Sequence, residues 1–238
     1  METNNCISRL MSTQTLNIGL LLLPEYQWLD AAGPVDYINS HSRQMISRLQ
    51  LPATIVDKSP IINWHYISND LTPVRATSGP LQQPSCTFDT YPQLDYLVVP
   101  GPDPFAPLQE GCVAFLKKLI VDPSFKALLL VCTGSMAVAQ TGILDGHNVC
   151  SNKVVLKAAA EKGLLNKKVK WVGDRRWIVD GKVWSAAGVT SGIDLAAEFS
   201  RVHFDPQIVA ITVDLVEHEP KPAQPDPFSR ILDGVDLA

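Results

Sequence analysis

The sequence predicts an α/β protein: an open, mostly parallel sheet with helices on both faces and a small β-hairpin addition. Three observations carry that expectation. Short apolar runs alternate with helix-patterned stretches along most of the 238 residues. Four of those runs are apolar almost throughout, as strands buried on both faces are. Asp30, Gly101 and Cys132 each follow such a run, which puts all three at the carboxyl edge of the sheet, where folds of this class bind ligands.

The elements follow in chain order. Residues 1–14 are polar and mixed and are expected to form a loose tail, leaving residues 15–238 as a single α/β domain. Leu16 to Leu23 is a buried strand ended by Pro24. Glu25 to Leu29 leads to Asp30, and a helix is expected from Ala31 toward Leu49, with Pro34 in its first turn. Ala53 to Val56 reads as a strand, as do Ile61 to Ile67 and Val74 to Thr77, separated by Asn/Asp/Gly/Pro turns. Tyr96 to Val99 is an apolar run closed by Pro100-Gly101-Pro102. Pro107 to Ile120 has helical spacing.

Ala127 to Val131 is an unbroken apolar run that meets Cys132-Thr133-Gly134, and from Ser135 the pattern becomes helical. Beyond it, His147 to Cys150 is a short strand and Val154 to Lys162 a helix stopped by Gly163. Val169 to Val172 and Trp177 to Val179 are strands, and Asp180-Gly181 turns a hairpin into Val183-Trp184-Ser185. Ser191 is expected to cap a helix through Val202 with Asp194 in its first turn, and Pro206 to Glu217 forms the last helix before a Pro-rich tail.

Composition narrows the function classes. An apolar fraction of 46% supports a full core, and a net charge of −4 without a basic cluster argues against nucleic acid as a partner. The run from Ile18 to Leu23 is too short to span a bilayer, so no membrane partner is expected. Five cysteines, with no C-x-x-C pair, suggest neither structural zinc nor a redox dithiol, and free thiols point to a reducing, cytoplasmic location. No metal-ligand spacing occurs among the histidines, and phosphate-binding glycine motifs are absent.

Cys132 is the candidate nucleophile. A thiol on a tight strand-to-helix turn is presented by the bend, and the helix end beside it favours thiolate and developing negative charge. The alternative is a buried cysteine that only fills space. Asp30 reads either as a helix-start acid or as a general acid/base whose pKa is raised by a neighbouring thiolate and by exclusion of water. The small residues before Thr190-Ser191-Gly192 either leave room for a ligand or let a helix pack closely. Asp174-Arg175-Arg176 reads as a solvated hairpin turn, and Trp28 as core or as the wall of a small pocket.

With these residues in view, the chain resembles the ThiJ/PfpI superfamily, which has the flavodoxin-like, class I glutamine amidotransferase-like fold. The matching blocks are Leu29-Asp30 with Gly33-Pro34, Val99-Pro100-Gly101, Val131-Cys132-Thr133-Gly134-Ser135, and Gly188-Val189-Thr190-Ser191-Gly192-Ile193-Asp194. Within the superfamily the similarity is to isonitrile (isocyanide) hydratase-like proteins of fungal type. The resemblance implies Cys132 as nucleophile, Asp30 as acid/base and Thr133 as an elbow residue, with Gly101, Gly33, Thr190 and Asn152 binding the substrate or its oxyanion. It implies cysteine-dependent hydration of a small molecule, an isonitrile converted to a formamide, with no metal or organic cofactor, in a homodimer. Glyoxalase-type chemistry on α-oxoaldehydes and a redox-sensing role for Cys132 are the alternatives. Two departures bear on the chemistry: Ser151-Asn152-Lys153 stands where relatives often carry Thr-His-Trp, and Pro102 removes one backbone N–H from the Pro-Gly block.

Overall fold

Period-two alternation along the apolar strands sets the layers. The computed structural model describes residues 14–238, so the expected tail falls outside the described residues except for residue 14. In β1 (Thr15–Leu21), Leu16, Ile18 and Leu20 enter one core and Leu21 the other. The next strands of the central sheet are β2 (Ile61–Ser68), β3 (Cys86–Thr87), β4 (Tyr96–Val99) and β5 (Ala127–Leu130). A two-stranded edge follows, β6 (Trp177–Asp180) and β7 (Val183–Ala186). β4 and β5 split in the same way as β1: Tyr96, Val98, Ala127 and Leu129 face one core, while Leu97, Val99, Leu128 and Leu130 face the other. Each Leu or Val side chain among them, fully buried, contributes roughly 1.5–3 kcal/mol, which is why these runs carry no polar face.

Helices cover both faces. α1 (Trp28–Asn39) and α5 (Ser191–His203) pack on one, while α2 (Cys112–Val121), α3 (Gly134–Ala139) and α4 (Lys153–Glu161) pack on the other. A last helix, α6 (Pro206–Val216), starts with Pro206 in its first turn behind the Asp205 cap. The strand order is β6-β7-β5-β4-β1-β2-β3, parallel except for the β6–β7 hairpin. The chain winds outward in both directions from the β1–β4 boundary, the crevice position for ligands in such sheets. Asp30 lies after β1, Gly101 after β4 and Cys132 after β5, all on that edge. Among the described residues, no helix is long and apolar enough to cross a membrane.

Several elements differ from the sequence expectation. Helix α1 begins at Trp28, so Asp30 lies in its first turn and Pro34 lies inside it. It ends at Asn39 rather than near Leu49, because Ser40 Oγ donates to the Asp36 carbonyl and Ser42 caps a separate turn over Arg43–Ile46. Ala53–Val56 is one turn of helix entered from Pro52, not a strand; none of its residues is buried, and so short a segment does not distinguish the two. Thr190, not Ser191, occupies the cap position of α5.

The largest departure is Arg176, which the sequence suggested was solvated. It is buried, and its Nε and Nη2 donate to Asp194 Oδ2 at 2.9 and 2.6 Å. Asp194 Oδ1 accepts the Lys221 backbone N–H at 2.8 Å and faces His218 Nε2 at 3.2 Å. One carboxylate thus ties the edge strand, α5 and the C-terminal segment together. Removing one partner of a buried pair strands the other charge. Arg176→Met is therefore expected to lower stability by about 3–5 kcal/mol in urea titrations, and the double change Arg176→Met/Asp194→Leu by clearly less. Equal losses for the two variants would show that the uncompensated charge is not the cause.

Candidate active site

The strand-to-helix turn after β5 is strained in a specific way. Cys132 has φ of +56°, in the left-handed region that non-glycine residues rarely adopt. Such a residue costs on the order of 1–3 kcal/mol and persists only where its surroundings fix it. Here two hydroxyls hold its carbonyl: Ser135 Oγ at 3.1 Å and Ser151 Oγ at 3.0 Å. The turn also presses against the neighbouring strand, since a Cβ on Gly134 would lie 3.1 Å from the Pro100 carbonyl oxygen. These contacts turn the sulfur toward α1 and the start of α4.

Asp30 meets the turn from α1. It has no solvent exposure, and its Oδ2 accepts the Gly101 backbone N–H at 3.0 Å. Its Oδ1 is buried and has no hydrogen-bond partner among the described residues. Gly101 is needed for this approach: a Cβ there would fall 2.8 Å from both Asp30 Oδ2 and the Thr133 nitrogen. Thr133 Oγ1 donates to the Pro102 carbonyl at 2.7 Å, so the proline that removes an N–H supplies an acceptor that fixes Thr133. Gln27 N–H donates to the Gly101 carbonyl at 2.8 Å, tying the start of α1 to the same loop.

Asn152 completes the surround. As cap of α4, its Oδ1 accepts from Val154 N and Val155 N at 3.1 and 3.3 Å, which fixes the orientation of the amide. Its Nδ2 then points at Cys132 Sγ, 3.4 Å away. The backbone N–H groups of Thr133 and Val189 are also directed at the sulfur.

Electrostatics follow from burial. The Asp30 carboxyl is pushed up to about 7, first by loss of water, with the Gly101 N–H and the Cys132 thiol pulling the other way. The Cys132 thiol is pushed up to about 11 by burial and then by the Asp30 charge, against the donors from Asn152, Thr133 and Val189. The sequence anticipated a raised Asp30 through a neighbouring thiolate and exclusion of water; exclusion of water is the cause, and the Cys132 thiol acts in the opposite direction. It also anticipated thiolate at the helix end, and burial outweighs that effect. Between about 7 and 11 the pair therefore holds one proton, on sulfur, beside a carboxylate.

The structure thus brings together Cys132, Asp30, Thr133, Gly101 and Asn152. Gly33 sits elsewhere: a Cβ on it would fall 2.7 Å from Ile193 Cγ1, so it serves the close approach of α1 and α5. Thr190 is exposed and lines a neighbouring cavity, and the contact to sulfur comes from Val189. Sequence reasoning missed Val189, Ser135 and Ser151 as supports. A backbone donor leaves no side-chain signal, and the serines were legible only as neighbours of marked residues.

The match to known proteins is consistent with this geometry. The DJ-1/PfpI family matches residues 21–201, which contain every residue of the cluster. The chain belongs to the DJ-1/PfpI family. Isonitrile hydratase of Pseudomonas putida is 27% identical over 216 residues, covering 90% of this chain and 81% of that protein. Among solved structures, a ThiJ/PfpI family protein from Pseudomonas syringae superposes with a TM-score of 0.60 at 18% identity, covering 98% of this chain and 96% of the other. Drosophila melanogaster DJ-1beta superposes with a TM-score of 0.65 at 12% identity, covering 87% of this chain and 100% of the other. At these identities the structural matches speak to the fold.

The buried carboxyl has a thermodynamic consequence. Because its pKa rises from 3.8 to about 7 on folding, the folded state binds more protons than the unfolded chain between those values. Stability from this group is full below about pH 4 and is lost as pH rises through 7, by roughly 4 kcal/mol in all. Asp30→Asn removes that dependence. In denaturant titrations the variant is expected to gain about 2 kcal/mol on wild type between pH 5 and pH 8. A difference that stays constant with pH would mean the carboxyl is not shifted.

Proposed function

We propose that this DJ-1/PfpI protein hydrates isonitriles to N-substituted formamides, with Cys132 as nucleophile and Asp30 as acid/base. The observation that carries the reading is the buried, unpartnered Asp30 Oδ1 beside a thiol presented by a strained turn. The likeness to isonitrile hydratase of Pseudomonas putida supports the choice of substrate.

The chemistry uses the proton the pair already holds. Ionised Asp30 takes the thiol proton as Sγ attacks the terminal carbon of R–N≡C, and returns it to that carbon. A C–S bond and a C–H bond form, giving the thioimidate R–N=CH–S–Cys132. The donors from Asn152, Thr133 and Val189 stabilise charge on sulfur during attack. Water then adds to the thioimidate carbon, nitrogen is protonated, the C–S bond breaks, and sulfur recovers a proton as the formamide leaves. Net, one isonitrile and one water become one formamide.

Two features favour this over the alternatives. The groups acting on the sulfur are Asp30, Asn152, Thr133 and Val189, with no histidine among them to serve glyoxalase-type proton transfers. A thiol raised to about 11 is a poor peroxide sensor, because thiolate is the reactive form.

Incubation with aryl and alkyl isonitriles should give the corresponding formamides. kcat/KM should fall about tenfold per unit below pH 7, as Asp30 becomes protonated, and level off above. Cys132→Ala should abolish turnover, and Asp30→Asn should reduce it by about 10²–10⁴-fold. Absence of formamide across several isonitriles, or undiminished activity in Cys132→Ala, removes this reading.

A further inference from the structure

The side-chain donor that faces the sulfur is placed by the start of α4. Asn152 caps that helix, and its Nδ2 lies 3.4 Å from Cys132 Sγ. The aim of the amide is therefore set by the first turn, Lys153-Val154-Val155-Leu156. That turn opens on a lysine with no acid beside it. A cation at a helix N-terminus opposes the dipole, and this one is also buried, its side chain 3% exposed. Both effects are unfavourable, and nothing in the local sequence offsets them.

The offset comes from the C-terminal segment. The Asp226 carboxylate, its side chain 1% exposed, pairs with Lys153 Nζ, which also donates to the Arg175 carbonyl at 2.9 Å. Asp226 is itself a fixed point. Its Oδ1 accepts the Phe228 backbone N–H at 3.0 Å. Just before it, the Ala223 carbonyl accepts the Arg176 N–H at 2.9 Å, and Gln224 Nε2 donates to Asp174 Oδ2 at 2.6 Å. Just after it, Leu232 enters the core. The segment is thus held at several points besides Lys153, whereas the start of α4 depends on the segment for its charge balance. The pair joins Lys153, in the stretch that departs from the family pattern, to a residue beyond 201, where the family match ends.

We infer that Asp226 is a positioning residue for the Cys132 thiol: paired with Lys153, it fixes the first turn of α4 and so aims the Asn152 amide at Sγ. It touches neither sulfur nor substrate and acts through Asn152. The inference rests on Cys132 being the working thiol and not on the choice of isonitriles as substrate. The charged group that faces the sulfur is Asp30 of α1, which the variants below leave in place.

Alkylation of Cys132 by iodoacetamide, followed by mass spectrometry of its peptide from about pH 7 to 10, reads the thiolate. Urea titration reads stability in parallel. Asn152→Ala should slow alkylation about three- to tenfold, through loss of one hydrogen bond to charged sulfur. Lys153→Met/Asp226→Leu fills the pair's space with apolar side chains, so its urea midpoint should stay near that of wild type. Its alkylation should slow by the same factor nonetheless, because an apolar contact fixes no direction. Adding Asn152→Ala to that pair should slow the reaction no further than Asn152→Ala alone. Asp226→Asn keeps the shape and an acceptor for Lys153, serves where the apolar pair fails to fold, and should show the same Asn152-dependent slowing.

A wild-type alkylation rate in a folded pair variant overturns the inference. So does slowing that adds to that of Asn152→Ala. No alkylation of Cys132 in the wild-type protein overturns the nucleophile reading and the inference with it. Absence of isonitrile turnover, with Asp226-dependent alkylation intact, overturns the hydratase reading and supports the positioning role.

Discussion

Much of this structure turns on a carboxyl group that is denied water. Asp30 could have been satisfied at the surface as an ordinary first-turn acid of α1, where the helix end favours its charge. Instead it is pressed against the Gly101 loop with one oxygen bonded and the other without a partner. Folding in this way opposes the ionised form, and the surrounding apolar strands supply the stabilisation that offsets it. A group kept near its point of titration at neutral pH is what proton transfer requires, so the same burial that destabilises the fold prepares the site.

The sulfur is held under a second constraint of the same kind. A left-handed residue at the end of a buried strand is unfavourable alone, and its geometry is maintained by Ser135 and Ser151 on its carbonyl and by the tight Gly134 crossing. Asn152 works in both directions. Its oxygen caps α4 while its nitrogen faces the sulfur, so the cap that stabilises a helix also fixes a donor in the site. Lys153, the next residue, extends this coupling to the C-terminal segment through Asp226, and Arg176–Asp194 fastens the same segment from the other side. Structural support and site geometry therefore share residues.

The parallel core was legible because both-face burial leaves only apolar residues: the runs at Leu16, Tyr96 and Ala127 are short, apolar and closed by turn residues, as buried parallel strands are. Short segments were not legible for the converse reason. Ala53–Val56 lacks a neighbour that would make it a strand, and Ser40 and Ser42 divert hydrogen bonds that would have carried α1 onward. Arg176 misled because a charged triplet before a hairpin is usually solvated, and its partner Asp194 is eighteen residues away. Gly33 was assigned to the substrate by resemblance alone, whereas its neighbour in the fold is Ile193.

The sequence by itself determined the sheet, the edge on which Asp30, Gly101 and Cys132 gather, and the turn that presents the thiol. These follow from local periodicity and strand direction, which a chain carries in the order of its residues. Only the tertiary structure decided how the groups are charged and what surrounds them. The protonation of Asp30 and Cys132 depends on how completely water is excluded by elements far apart in the chain. The Val189 donor, the Arg176–Asp194 pair and the Lys153–Asp226 pair arise from contacts between distant segments, which no local pattern encodes.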